Sequence, residues 1–110
     1  MVESNVQLDL LYGALSDSTR RSILELVSRV EMTIGEISEH YKLTFAAISK
    51  HIMVLEKANL ITKTRRGKSQ VVIIVPSTVA MAQKNIERYA RMWSSRFDKL
   101  DILLQEENDT

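Results

Sequence analysis

Two short helices joined by a turn of about three residues constrain this chain more than any other feature of its sequence. Thr33 is followed three residues later by Glu36, the spacing of a capping box, in which each side chain satisfies a free backbone N–H of the other residue. Thr44 can cap a second helix. The apolar residues of that helix recur at steps of three and four: Phe45, Ile48, Ile52 and Leu55. We therefore predict a helix-turn-helix at about residues 33–58, with this stripe, including Phe45, turned toward a core.

Two further helices are predicted before this pair. Residues 5–15 place their apolar side chains at helical spacing, interrupted by Gly13. Asp17 or Ser18 can cap a second helix of about residues 18–30, whose apolar residues again follow the helical period. The helix-turn-helix would therefore be formed by the third and fourth helices of the chain.

After the fourth helix the apolar period changes from helix to strand. Residues 60–64 and 70–75 are rich in β-branched side chains and flank a turn that contains glycine, which predicts a β-hairpin. The hairpin tip holds three cations in four residues: Arg65, Arg66, Gly67 and Lys68. Pro76 should end the second strand, because it cannot donate to a sheet ladder, and Ser77 can cap the next helix. The hairpin, at about residues 60–76, has the place of a wing.

A long amphipathic helix is predicted from about residue 78 to residue 105. Its apolar residues recur at alternating steps of three and four: Ala82, Ile86, Tyr89, Trp93, Phe97, Leu100 and Leu104. At 1.5 Å per residue the helix is roughly 40 Å long, more than a core of this size can cover, so something else should bury part of the stripe. We expect a mainly α fold with a small β-hairpin, in which residues 1–110 form one winged helix-turn-helix domain with a long C-terminal helix.

Composition excludes several classes of function. The 110 residues include no cysteine, which excludes disulfides, thiolate nucleophiles and thiolate metal sites. Only His40 and His51 remain as good soft-metal ligands, and a zinc site would need carboxylates or a second subunit to complete it. There is no Gly-rich phosphate loop and no cluster of histidines with carboxylates, so we expect neither an enzyme nor a bound cofactor or metal.

The hydrophobic pattern gives no sign of a membrane protein. No apolar run approaches the ~20 residues that a membrane helix needs. The first residues, MVESNVQLDLL, have no basic segment, no long apolar segment and no small-residue cleavage site, so a secretory signal is not expected. The expectation is a cytoplasmic protein without a membrane partner.

Positive charge is concentrated in one segment of a chain whose net charge is only +1. Between residues 42 and 70 seven basic residues face one acidic residue, Glu56, which gives a net charge of +6, whereas the remainder of the chain carries −5. The basic residues of the segment are Lys42, Lys50, Lys57, Lys63, Arg65, Arg66 and Lys68. A local positive patch on a nearly neutral chain is typical of a nucleic-acid-binding surface.

The local residues in this order of elements resemble the ArsR family, small dimeric transcription regulators of bacteria and archaea. The resemblance covers nearly the whole chain through the segments ALSDSTRRSILELV, TIGEISEHYKLTFAAISKHIMVLEKANLI and TKTRRGKSQVVII. Its most specific parts are DSTRRSIL and the triplet Ser49-Lys50-His51, which Leu55, Leu60 and Ile61 follow.

The resemblance implies a homodimer that binds a pseudo-palindromic operator in double-stranded DNA and usually represses transcription. The recognition helix, residues 44–57, would enter the major groove, and the wing, residues 63–70, would lie on the phosphate backbone. The first and last helices would form the dimer interface, with Leu10, Leu11, Tyr89, Trp93, Phe97, Leu100 and Leu104 as its residues. An aromatic stripe at this spacing could also line a ligand pocket.

The chain departs from the metal-sensing members of that family. The third helix reads EISEHYKL, without the cysteine pair of the arsenic and cadmium sensors, and no histidine follows His51. Metal sensing is therefore not expected, and the sequence leaves the inducer open.

The expected DNA contacts lie on the outward face of the fourth helix and on the wing. A rotation of 100° per residue turns Ala46, Ala47 and Lys50 away from the core, and small residues let a helix N-terminus approach base edges closely. Three cations at the wing tip that cannot be neutralised internally would clamp phosphates. The candidate contacts are Thr44, Ala46, Ala47, Ser49, Lys50, His51, Lys63, Arg65, Arg66 and Lys68.

Each of these assignments has a plainer alternative. The outward face could be an ordinary solvated helix surface, His51 could pack locally, and the wing tip could serve solubility. The basic patch could also bind an acidic protein, which would make the chain a protein-interaction module. Arg20 and Arg21 lie early in the second helix, where the helix dipole disfavours a cation, so each needs an internal carboxylate or the DNA backbone as a partner.

Overall fold

The computed structural model describes residues 2–108, which form five helices and three strands. The elements are α1 (Val2–Leu15), α2 (Ser18–Arg29), β1 (Met32–Thr33), α3 (Ile34–Tyr41), α4 (Phe45–Lys57), β2 (Ile61–Arg66), β3 (Ser69–Ile74) and α5 (Pro76–Asn108). The predicted fold class, mainly helical with a small β-structure and a long C-terminal helix, is confirmed. The chain divides into two compact units, residues 1–79 and residues 80–110.

The helices of the first unit begin at the caps that the sequence predicts. Asp17 caps α2 by accepting a hydrogen bond from the backbone N–H of Arg20 at 3.0 Å. The capping box of α3 is complete, because Thr33 and Glu36 each accept from the other's backbone N–H at 3.1 Å. Three residues, with Lys42 in the left-handed region at φ 54°, separate α3 from α4. The helix-turn-helix is therefore confirmed.

The wing belongs to a three-stranded antiparallel sheet with the order β1-β3-β2. β2 and β3 form the predicted hairpin, and its tip places Gly67 at φ +62°. β1 was not predicted, because two residues are too few to show a strand period. Its Thr33 pairs with Val71, and the same residue caps α3, so β1 links the wing to the start of the helix-turn-helix.

The core of the first unit is built from aliphatic side chains of its helices and strands. Its fully buried large residues are Leu11, Ile23, Ile37, Ile48, Ile52, Leu55, Leu60, Ile61 and Val72. Ile48, Ile52 and Leu55 are buried as the stripe of α4 predicts. Phe45 is not: its side chain is 60% exposed. Helical periodicity fixes the face of a residue but not its depth, and Phe45, the first residue of α4, lines an open cleft between the wing and the start of α3.

The expected interface residue Leu11 is also corrected. α1 packs against α2 and α4, and Leu11 and Ala14 on that side are buried within the protomer. Leu11 is therefore a core residue of the protomer, with no exposed surface of its own. Its neighbour Leu10 lies on the other side of α1 and is 43% exposed.

The second unit consists of the C-terminal part of α5. The helix begins at Pro76, ahead of the predicted cap Ser77, because proline has a helical φ and its missing N–H costs nothing at the first helical position. Ala82 is buried, whereas the large apolar side chains from Ile86 to Leu104 are exposed. Within residues 2–108, no helix is both long and apolar enough to cross a membrane.

Candidate nucleic-acid interface

Apart from Phe45, the exposed residues at the start of α4 are small, and Lys50 adds a positive charge farther along. Ala46 and Lys50 are exposed, while Ala47 and Ser49 are half-buried beside them. The hydroxyl oxygen of Thr44 accepts from the backbone N–H of Ala47 at 3.1 Å, so this side chain caps the N-terminus of α4. The residue is exposed. The structure thus places these five predicted contact residues on or beside one accessible surface.

His51 is held by Arg20 from α2. The guanidinium Nη1 of Arg20 lies 3.4 Å from Nδ1 of His51. A guanidinium can only donate, so Nδ1 is the acceptor, and a neutral His51 ring must carry its proton on Nε2. In the neutral ring this contact leaves Nε2 as the nitrogen that can donate to a ligand.

The partners of Arg20 and Arg21 are backbone carbonyl groups at the end of α1. Arg20 donates through Nε to the carbonyl of Ala14 at 2.8 Å and through Nη2 to that of Gly13 at 3.2 Å. Arg21 donates to the carbonyl of Leu15 at 2.7 Å. A cation is favoured at a helix C-terminus, so the dipole of α1 offsets the unfavourable position of both residues in α2. The sequence suggested a carboxylate or DNA as the partner. Among the residues that the structure describes, Asp17, 4.0 Å from Arg20, is the one carboxylate that fits the first suggestion.

Asp17 joins the same cluster as an ionised cap. The backbone N–H of Arg20, more than the nearby charges of Arg20 and His51, holds the pKa of its carboxyl below the usual value of 3.8. Asp17 therefore remains charged at neutral pH and caps α2 beside the guanidinium of Arg20.

A second set of hydrogen bonds attaches α1 to the end of the recognition helix. Gln7 donates to the carbonyl of Ala58 at 2.9 Å and accepts from the side chain of Asn59 at 3.1 Å. Asn59 has φ 59°, the left-handed conformation that asparagine tolerates and that turns the chain from α4 toward β2. Together with Arg20 and His51, these contacts fix α4 to α1 at two points.

The wing cations are partly neutralised inside the molecule, contrary to expectation. Both terminal nitrogens of Arg66 donate to the carboxylate of Glu31, at 2.6 and 3.4 Å, and this partner raises the pKa of Arg66. Nζ of Lys63 lies 3.4 Å from the carboxylate of Glu56. Glu31 lies far from the wing in the sequence, and β1, which brings it there, gave no periodic signal.

Of the lysines and arginines predicted to contact DNA, three remain available for a ligand. Arg65 donates to the carbonyl of Gly67 at 3.2 Å and is exposed. Lys50 and Lys68 are exposed, and neither has a carboxylate within ion-pair distance among the residues that the structure describes. The positive charge that a ligand would meet first is therefore at α4 and at the very tip of the wing.

A cleft of about 340 Å³ separates the wing from the starts of α3 and α4. The wing contributes Arg65, Lys68, Ser69 and Gln70, and the helix-turn-helix contributes Thr33, Ile34, Gly35 and Phe45. Its lining thus combines two cations with an exposed aromatic ring, which the sequence pattern had assigned to the core.

The predicted interface residues of α5 form one exposed apolar face. Tyr89, Trp93, Phe97, Leu100 and Leu104 are each about half exposed or more, with Trp93 at 62%. The rings of Trp93 and Phe97 lie with centroids 6.1 Å apart. No group of three histidine, aspartate or glutamate residues in the described part of the chain is close enough to hold a metal ion.

Comparison with known proteins relates this chain to a family of bacterial transcription regulators. Residues 17–63 match the family described as bacterial regulatory protein, arsR family. The chain is similar to YuzN of Bacillus subtilis, an uncharacterized HTH-type transcriptional regulator, with 43% identity over 76 residues, 63% of this chain and 83% of YuzN. It is also similar to the transcriptional repressor SdpR of the same organism, with 40% identity over 58 residues, 53% of this chain and 64% of SdpR.

A solved structure shows the same fold. It is the homodimeric winged helix-turn-helix DNA-binding domain of a possible ArsR-family regulator from Mycobacterium bovis, with a TM-score of 0.68 and 21% identity over 82% of this chain and 83% of that one. With 83% of YuzN covered at 43% identity and the family match lying on the helix-turn-helix, the chain belongs to the ArsR family of bacterial regulatory proteins and is a transcription regulator with a winged helix-turn-helix DNA-binding fold.

Proposed function

We propose that this protein is a homodimeric repressor that binds a specific pseudo-palindromic operator. The proposal is carried by two exposed surfaces: the face of α4 that presents Ala46 and Lys50, and the wing tip with Arg65 and Lys68, which have no carboxylate within ion-pair distance among the described residues. The start of α4 and these two wing cations line one cleft. The similarity to the repressor SdpR supports repression over activation of transcription. Residues 1–110 would act as one winged helix-turn-helix domain.

The recognition helix reads the operator through residues 44–57. Lys50 is the side chain best placed for a base edge, since lysine donates to the acceptors of guanine in the major groove. Thr44, Ala46, Ala47 and Ser49 allow the start of α4 to approach the duplex closely. His51 donates from Nε2 to a phosphate, because its Nδ1 already accepts a hydrogen bond from Arg20.

The wing binds phosphates unequally. Arg65 and Lys68 contact the backbone directly, whereas Arg66 must first exchange Glu31 for a phosphate, and Lys63 must exchange Glu56. Both ion pairs are at least partly exposed, so solvent screening makes them weak and exchange is feasible. Each cation that reaches a phosphate releases counterions and adds about 0.9 to the slope of log affinity against log salt.

Dimerisation covers the apolar face of α5. Tyr89, Trp93, Phe97, Leu100 and Leu104 meet the same residues of a second copy, and Leu10 of α1 adds to the interface. The M. bovis domain of the same fold, which is homodimeric, supports this arrangement. Two recognition helices about one duplex turn apart would then match an inverted repeat.

The first test is selection from a random duplex library with purified protein at physiological salt, followed by titration of the winning sequence. We expect an inverted repeat, bound by two protomers with sub-micromolar affinity and a steep salt dependence. A flat salt response, or no enriched sequence, would contradict the proposal and favour an acidic protein partner instead.

A pair of variants tests which wing cations contact phosphates directly and which are held by an ion pair. Lys68→Ala should weaken binding to specific and unrelated duplexes alike and should reduce the salt slope by about 0.9. Glu31→Gln should strengthen binding to both, because it releases Arg66 from its ion pair. The matched control is Glu36→Gln, a nearby carboxylate that accepts from the backbone N–H of Thr33 at the start of α3 and forms no ion pair with a wing cation in the described residues.

A further inference from the structure

We infer that Phe45 is a specificity-determining residue that reads the methyl group of a thymine in each half-site of the operator. The inference rests on the proposed function, because it needs α4 to enter the major groove. It follows from the failure of the amphipathic pattern at this one position: the ring is 60% exposed, although the spacing of α4 assigns it to the core.

The place of Phe45 in α4 directs its ring toward the groove. Phe45 is the first residue of the helix after its cap Thr44. Side chains on a helix tilt toward its N-terminus, so the ring projects beyond the first turn. Recognition helices contact base edges with their N-terminal residues. In a DNA complex the ring, which lines the cleft between the wing and the starts of α3 and α4, would therefore lie beside the first bases that α4 meets.

Phe45 is the most exposed large apolar side chain at the start of α4. The next two residues, Ala46 and Ala47, have single-methyl side chains, so the ring is the largest group at this end of the helix. Arg65 and Lys68 lie across the cleft that Phe45 lines. Cations on this rim would hold the backbone of the strand whose base faces the ring.

The chemistry of the ring selects thymine. A phenyl group has no hydrogen-bonding atom and cannot distinguish bases by donors or acceptors. The one apolar group that a base pair presents in the major groove is the C5 methyl of thymine. Burying that methyl against the ring gains affinity for thymine, whereas the polar groups of other bases would lose water against the ring without a hydrogen bond.

The experiment removes the methyl group from the DNA and the ring from the protein. Each thymine of the selected operator is replaced, one at a time, by deoxyuridine, which lacks only the C5 methyl. Wild-type protein should lose about fourfold in affinity at one thymine of each half-site, the effect of one buried methyl-sized group. Phe45→Ala should bind the operator more weakly than wild type and should bind thymine and uracil operators equally well at that position.

Two controls keep the result interpretable. Met53→Ala removes another exposed apolar side chain of α4, nearer its C-terminal end, and should retain the fourfold loss at the Phe45 position. Thermal unfolding of Phe45→Ala should match wild type, because the ring is exposed. If the alanine variant unfolds, Phe45→Gln, which keeps a helix-forming side chain of similar length, replaces it in the same titrations.

The outcomes separate this inference from the proposed function. Unchanged thymine-to-uracil losses in Phe45→Ala would overturn the inference alone, as would equal weakening of operator and unrelated duplex, which would indicate a backbone contact. Wild-type affinity of Phe45→Ala for the operator would also overturn it. Failure to select any operator would overturn the proposed function together with it.

Discussion

The two units of this chain differ in how far their large apolar side chains are buried. In residues 1–79 the large aliphatic side chains of α1 to α4 and the sheet enclose one another, and nine of them are fully buried. In residues 80–110 a helix of the same period leaves its large apolar residues exposed. The amphipathic pattern is alike in both units. The difference teaches that a helical stripe indicates burial but does not say whether the chain itself or a second copy provides it.

The largest expected effect tests the self-sufficient core of the first unit. Ile52→Ala removes a fully buried side chain of α4 and should lower the free energy of unfolding by about 2–5 kcal/mol, through lost burial and the cavity left behind. Urea denaturation measures the loss, which should not depend on protein concentration. Met53→Ala, the next residue along the helix and half exposed, is the control and should change the stability little. Similar losses in the two variants would break the comparison.

The next prediction tests the second unit, where burial should require a partner. Trp93→Ala should raise the dimer dissociation constant by roughly 100-fold or more, since two copies of an aromatic side chain lose their burial at about 1.5 kcal/mol or more each. Sedimentation over a range of protein concentrations measures this constant. Lys84→Ala, on the opposite side of α5, should leave it unchanged. If Trp93→Ala dimerises like wild type, the apolar face of α5 has another occupant.

The same contrast explains how far the sequence predicts the fold. Caps and periodicity located α2, α3 and α4 because Asp17, Thr33 and Thr44 act through hydrogen bonds within three residues. β1 was missed because two residues carry no period. Leu11 was assigned to a dimer interface by family resemblance, and only the packing of α1 on α2 and α4 shows that it is buried within the protomer.

The sequence predicted the positive charge of the candidate site but not the contacts that its charged side chains form with residues elsewhere in the chain. The basic residues between 42 and 70 identified the surface, yet the contacts of Arg66 with Glu31 and of Arg20 with His51 join residues more than 30 positions apart. Such pairs depend on how the elements pack, which local patterns do not contain. Local patterns can also predict burial where there is none: the helical period correctly predicts that Ile48 and Ile52 are buried, but it fails for Phe45 at the N-terminal end of α4.

A smaller effect is expected where α1 is attached to the rest of the first unit. Arg20→Ala removes the side-chain donor of the Ala14 carbonyl, whereas the Gly13 carbonyl keeps the backbone N–H and the hydroxyl of Ser16 as donors. The variant should lower the free energy of unfolding by about 1–2 kcal/mol. It should also weaken operator binding, because His51 loses the contact that fixes its tautomer. Urea denaturation and DNA titration measure the two effects.

Arg21→Ala is the matched control for that variant. Arg21 has the same chemistry and donates to the neighbouring carbonyl of Leu15, but no contact joins it to His51 in the described residues. It should lose some stability and retain operator affinity. Equal loss of DNA affinity in both variants would show that Arg20 acts through α1 and not through His51.

The smallest expected effect concerns the charge of the α2 cap. The pKa of Asp17 is held below 3.8 in the folded protein, mainly by the backbone N–H of Arg20, so the ionised carboxylate stabilises the fold above that pH. Asparagine caps a helix about as well but carries no charge, so Asp17→Asn removes only the electrostatic part. Wild type should exceed the variant in stability by a constant margin from pH 5 to 7, and the margin should vanish as the pH falls through the folded-state pKa. Urea denaturation of both proteins at a series of pH values measures it. A margin that persists at pH 2 would mean that the charge of Asp17 contributes nothing, and that the cap stabilises α2 through its geometry alone.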